Sequence, residues 1–188
     1  TDGQPALSFG NDSRDPQGDF VEGTWRTVSY TGGDRVWVGP LGEYRLEAWD
    51  TTGVHLKTLI RSAEWFEHWD RRSARQPFGE EPNPILLSAH EDARGRLWVI
   101  SRVPDRNWKP GFKEPAYEEV YDTVLEVIDP LSGDLVASQR FDGEEHLFLY
   151  FISADLLTSF SVNDVGLERV HVWRFWLDNP PTEDTTHK

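Results

Sequence analysis

The chain contains no cysteine and no methionine among its 188 residues. Without cysteine there is no disulfide, thiolate metal site, thiol nucleophile or cysteine-linked lipid anchor, and the redox compartment is unreadable. The chain starts at Thr1 rather than Met, which fits removal of a secretory leader and fits trimming equally well. Long apolar runs are also missing. The longest, Leu147-Phe148-Leu149-Tyr150-Phe151-Ile152, is six residues, whereas a helix spanning a bilayer needs roughly 20. Positive charge is scarce: 19 bases face 33 acids, for a net charge of −14. Such a field repels phosphate backbones and anionic headgroups, so nucleic acid and direct lipid insertion are set aside as partners. A basic patch on another protein is the easier match.

What is present points to a folded domain. Hydrophobic residues make up 37% and aromatics 13%, including nine Trp, too many for a disordered chain. The length suits one domain. Residues 1–23 read as an extended polar arm, 24–178 as the domain and 179–188 as a tail that Pro180-Pro181 keeps from forming a strand. Within the domain, short runs rich in Trp, Val, Tyr, Phe and Ile alternate with turn residues. They predict strands near 25–30, 35–38, 44–49, 54–60, 85–89, 97–103, 123–128, 135–139, 147–152, 156–162 and 169–177. Two segments break the rhythm. Trp65, Phe66 and Trp69 stand at i, i+1 and i+4 in Ala63–Arg72, a spacing that predicts a short helix. Residues 104–119 form a long Pro-rich stretch carrying Trp108, Phe112 and Tyr117, and long loops of this kind are often functional.

The chain repeats itself. Gly33-Asp34-Arg35-Val36-Trp37-Val38 matches Arg94-Gly95-Arg96-Leu97-Trp98-Val99, and Leu46-Glu47-Ala48-Trp49-Asp50 matches Leu125-Glu126-Val127-Ile128-Asp129. Each second motif leads through a Gly-containing turn to another apolar strand. This is a four-stranded antiparallel meander written twice, with a third copy starting at Leu147 and stopping after its third strand. These motifs, above all Asp92-Ala93-Arg94-Gly95-Arg96-Leu97-Trp98-Val99, resemble blades of the six-bladed β-propeller families, the NHL-like, lactonase-like and sensor propellers. The resemblance covers roughly residues 25–177 and implies an all-β incomplete β-propeller with about three blades. An open set of blades leaves strand edges and sheet faces without neighbours. Three ways of sealing them are open: the chain's own helix, loop or arm covers the edges, the sheets fold into a sandwich, or another chain supplies the cover.

Chemistry is thinly signalled. No G-x-S-x-G, phosphate-binding loop or H-x-x-x-H pair occurs. His55 and His171 alternate with apolar residues and read as structural. His90-Glu91-Asp92 is the best metal candidate, although Asp92 is already explained by its turn. Asn11–Asp15 spaces its oxygens like a calcium loop but has Pro16 where Gly is needed. The lactonase-like resemblance implies a metal held by Glu, Asn and Asp, for which Glu91, Asn107 and Asn163 are the only stand-ins. No cofactor is expected. The aromatics outside the strand pattern, Trp65, Phe66, Trp69, Trp108, Phe112 and Tyr117, together with Trp176, either plug open sheet margins or anchor a partner. The expected function is a non-catalytic interaction module: an extracytoplasmic or periplasmic subunit that braces other protein subunits, such as those of a respiratory or photosynthetic membrane complex. A metal-dependent lactonase-like hydrolase and the ligand-sensing domain of a longer receptor are the alternatives.

Overall fold

The computed structural model describes residues 26–30, 34–69, 81–110, 120–143, 146, 149–153, 155–163 and 165–177. The expected arm, the tail, Phe112 and Tyr117 lie outside the described residues. The fold is all-β. A first sheet contains β1 (Arg26–Tyr30), β2 (Arg35–Pro40), β3 (Arg45–Asp50) and β4 (His55–Ile60) in the order β1-β2-β3-β4. A second contains β5 (Ile85–Glu91), β6 (Leu97–Pro104), β7 (Tyr121–Ile128) and β8 (Leu135–Phe141), again in chain order. A third, three-stranded sheet contains β9 (Tyr150–Phe151), β10 (Leu156–Val162) and β11 (Glu168–Arg174). Neighbours pair antiparallel throughout, and the described sheets form no closed barrel.

The tight turns are made by one device. Asp92 Oδ1 accepts from the backbone N–H of Arg94 (2.8 Å) and Arg96 (3.0 Å), Asp50 Oδ1 does the same for Thr52 and Val54, and Asn163 Oδ1 for Val165 and Leu167. A short polar side chain thus replaces the backbone partners that the reversal removes. Gly95, three residues after Asp92, adopts φ 77°, a conformation that a Cβ disfavours.

Side-chain alternation then assigns the faces. Trp37, Leu46, Ala48 and Leu59 of the first sheet pack with Leu86, Ala89, Leu97, Val99 and Ile128 of the second. The approach is close: a Cβ on Gly39 would strike the Arg45 carbonyl oxygen and the Leu86 side chain. Leu86 N–H donates to Leu41 O at 2.9 Å and Thr27 Oγ1 to Leu87 O at 2.6 Å, tying the two sheets at their inner strands. The opposite face of the second sheet, with Trp98, Ile100, Leu125 and Val127, packs on Leu149 and Leu157, flanked by Phe151 and Trp173 of the third. The middle of the second sheet is therefore covered on both sides, with β6 and β7 buried along nearly their whole length, while the edge strand β8 is largely exposed.

Two expectations are corrected. No helix forms over the described part of 63–72. Ala63 and Phe66 instead pair as an isolated bridge around a turn at Glu64-Trp65. The Phe66 ring packs on Tyr44 at 5.4 Å, and Trp69 N–H donates to Gly42 O at 3.1 Å. These contacts with the end of the first sheet outweigh a short helix, whose nucleation is costly and whose aromatics are mediocre helix formers. Within the described part of the expected strand over 147–152, Tyr150–Phe151 form β9.

Candidate functional site

In the first two sheets the exposed apolar residues lie on the edge strands, Leu56 and Ile60 on β4 and Leu135 and Val136 on β8, whereas in the third they extend across one face. Register fixes which residues share that face. Thr158 pairs with Val172 and Tyr150, Phe160 with Val170, and Leu156 with Arg174. The intervening residues Leu157 and Trp173 point to the second sheet, so Tyr150, Phe160, Val170 and Val172 point away from it. Their exposures are 43%, 44%, 62% and 61%. Glu168 and Arg174 stand on the same face at opposite ends of β11, and Arg174 Nε lies 3.3 Å from Asp155. Apolar residues scattered singly on a surface need no explanation, but a contiguous apolar sheet face is an interaction signature.

The expected partner-binding aromatics are distributed differently. Phe66 is buried, and Trp65 packs against the same cluster beside Tyr44. Trp69 is half-buried and donates its indole N–H to Pro84 O at 2.5 Å. These three seal the end of the interface between the first two sheets. Trp108 is half-buried in the turn that follows β6, its N–H on Asp105 O at 3.0 Å. Among the described members of the set, only Trp176 is largely in solvent, at 71% exposed, just beyond β11. The two irregular segments of the sequence do converge: Trp65, Trp69, Glu81 and Pro84 face Asp105, Arg106 and Arg140 across an open cleft of about 490 Å³.

His90, Glu91 and Asp92 do not form one constellation. On β5, consecutive side chains point to opposite faces. His90 turns to the third sheet and stacks on Phe151 at 5.1 Å. Its Nε2 is buried without a hydrogen-bond partner, and burial holds its pKa below the usual imidazole value. Glu91 turns to the first sheet, where it accepts from Trp37 Nε1 (2.8 Å) and Arg35 (2.5 Å). Asp92 holds its turn and also bonds Arg96 and Trp98. Burial opposes its charge, but these bonds win and hold its pKa below the ordinary carboxylate value. Asn107 is exposed and Asn163 serves a turn of the third sheet, so the stand-ins for a propeller metal set are separated. Among the described residues no group of three or more His, Asp or Glu is placed to hold a metal ion. His55 and His171 make local contacts, with Thr58 at 3.0 Å and Ser161 at 2.9 Å.

A buried acid network went unrecognised in the sequence. Glu126, 1% exposed, faces the first sheet and accepts from Tyr44 OH (2.6 Å), Arg61 Nε (2.8 Å) and Arg61 NH2 (3.0 Å). It is a charge-assisted clamp between sheets. Burial, then the neighbouring Glu126, pushes the Tyr44 phenol well above its usual range. Glu47, the matching glutamate on β3, binds residues of its own strand, Arg45 and Trp49. The matched motifs of the sequence set these two glutamates side by side; only cross-sheet packing shows that one of them is a clamp. Asp122 is likewise buried against Arg140 (2.5 Å). Burial raises its pKa, and Arg140 only partly offsets that.

No protein-family model and no curated protein matches the chain. Among solved structures it is similar to the crystal structure of a member of the DUF4221 family from Bacteroides vulgatus. The match has a TM-score of 0.55 at 12% identity, covering 82% of this chain and 47% of that one. At such identity the likeness concerns the fold alone. The chain spans about half the length of that structural neighbour, with which it shares an antiparallel all-β architecture.

Proposed function

We propose that this protein is a non-catalytic protein–protein interaction module in which successive meander sheets, the blades of an incomplete propeller, present the outer face of the last sheet to a partner. The observation that carries the reading is the set Tyr150, Phe160, Val170 and Val172, apolar and in solvent on one face of a sheet whose other face is core. Burying it removes apolar area from water at roughly 25 cal/mol per Å² before the costs of association. The scattering of His90, Glu91, Asp92, Asn107 and Asn163 gives the hydrolase reading no assembled site, and the binding reading needs none. The aromatics Trp65, Phe66 and Trp69 act in it as margin seals rather than anchors. The setting we propose remains an extracytoplasmic assembly of other protein subunits, and the net charge of −14 favours a partner with a basic rim.

The test is a Val170→Lys/Val172→Lys variant, with binding of a hydrophobic dye and self-association measured across protein concentration. The wild-type chain is expected either to bind the dye or to associate, and the variant to do neither while keeping its far-UV spectrum. A wild-type chain that does neither overturns the reading.

A further inference from the structure

We infer that the occupant of the outer face of β9–β11 is a second copy of this chain, packed on the same face about a two-fold axis. This rests on the docking reading and names its partner. Three observations lead to it. First, the far side of the first sheet, away from the second, is a poorer match. Among the described residues Val36, Val38 and Glu47 at its centre are buried, and the exposed Ile60 stands on the edge strand β4, so a head-to-tail contact would meet mainly that margin. Second, that surface is self-complementary in charge. Glu168 and Arg174 lie on it at the two ends of β11, with Val170 and Val172 between them. A two-fold axis lying between the sheets and perpendicular to β11 sets each Glu168 over the partner copy's Arg174 and the valines over valines. Isologous pairing of this kind is the commonest route to a homodimer, and face-to-face sheets about 10 Å apart are a standard packing. Third, the shape is right for it. The second sheet buries Trp98, Ile100, Leu125 and Val127 against an antiparallel sheet, and Phe160, Val170, Val172 and Tyr150 offer comparable bulk and the same alternation for another such layer.

Charge also sets how the association responds to salt. Two copies each carrying −14 repel one another over distances longer than the Debye length. Added salt screens this repulsion more than it weakens an apolar contact, so dimerisation strengthens between 20 mM and 500 mM NaCl, roughly, as the screening length shrinks.

Sedimentation equilibrium of the intact chain tests the inference. The expected result is a species of twice the 21.7 kDa chain mass, tighter at high salt. Val172→Lys, at an exposed position, should weaken it by about 100-fold or more, because each copy then buries an ammonium. Glu168→Arg alone should weaken it about three- to tenfold, and Glu168→Arg/Arg174→Glu should restore it, since rim ion pairs are modest but appear twice. Because the chain has no cysteine, a single Phe160→Cys should cross-link through a short bismaleimide into a covalent dimer. A wild-type chain that stays monomeric at about 100 μM yet binds the hydrophobic dye overturns the second-copy inference and leaves the docking reading standing. A monomer that binds no dye overturns both. A dimer unaffected by Val172→Lys places the contact elsewhere and overturns the inference.

Discussion

The second and third sheets are built from similar strands and end up in opposite circumstances. In the second, both faces of β6 and β7 are core: Leu97, Val99 and Ile128 meet the first sheet, and Trp98, Ile100, Leu125 and Val127 meet the third. In the third, Leu157 and Trp173 are turned inward while Phe160, Val170 and Val172 stand in water. The side-chain chemistry is much the same on all of these faces. Position among the sheets, not composition, decides whether an apolar face is buried or in solvent. Among the described sheets the third keeps one face that the other two do not cover.

The comparison can be broken most severely at the covered faces. Trp37→Ala removes a fully buried indole and one of the two donors to Glu91, leaving its Oε2 unpaired beside the Arg35 contact. A loss of about 3–5 kcal/mol in urea unfolding is expected, enough to unfold a marginal domain. Next is the clamp: Glu126→Gln leaves Arg61 and Tyr44 without their charged partner at the interface of the first two sheets. Arg61 is partly exposed, so the expected loss is about 2–4 kcal/mol by the same measurement. A smaller loss would mean that water rescues the guanidinium.

The interface of the second and third sheets is sharpened by pH. His90 is buried there with a folded-state pKa below its unfolded value, so the unfolded chain binds the proton more tightly. Its contribution is therefore present above about pH 6.5, the unfolded value, and is lost as pH falls through the folded one. His90→Phe, which keeps the stacking on Phe151, should flatten the stability profile between about pH 7 and 5, measured by thermal melts. An unchanged profile would show that other groups carry the dependence. The smallest effect is expected on the open face. Val170→Thr/Val172→Thr should change monomer unfolding by no more than about 0.5 kcal/mol per site, measured at protein concentrations too low for association. A core-sized loss there would mean that the face is already covered within the chain.

Much of this architecture could be read from the residues. The strand positions follow from β-branched and aromatic runs between Asp- and Gly-bearing turns, and their grouping into two sets of four and a shorter third agrees with antiparallel sheets of four, four and three strands. The helix over Trp65–Trp69 was misread because local periodicity cannot report that Tyr44 and Gly42 stand within reach. The open face carried a signal too: Phe160 and Val162, and Val170 and Val172, alternate with Ser159, Ser161, His171 and Trp173. Both alternating sets contain large apolar residues, so the pattern alone did not say which would be inside. His90-Glu91-Asp92 read as a cluster because they are adjacent in sequence, and a strand sends adjacent residues apart.

By itself, then, the sequence determined the local matters: where strands begin and turn, and that an acidic, cysteine-free chain would fold as all-β. Those outcomes depend on backbone preferences and side-chain alternation, which act over a few residues. Tertiary packing alone decided which face of each sheet is core, that Glu126 rather than Glu47 bridges two sheets, and that the last sheet keeps Phe160, Val170 and Val172 in solvent. These depend on which layer lies next to which, and burial is a property of neighbours that a linear pattern does not encode.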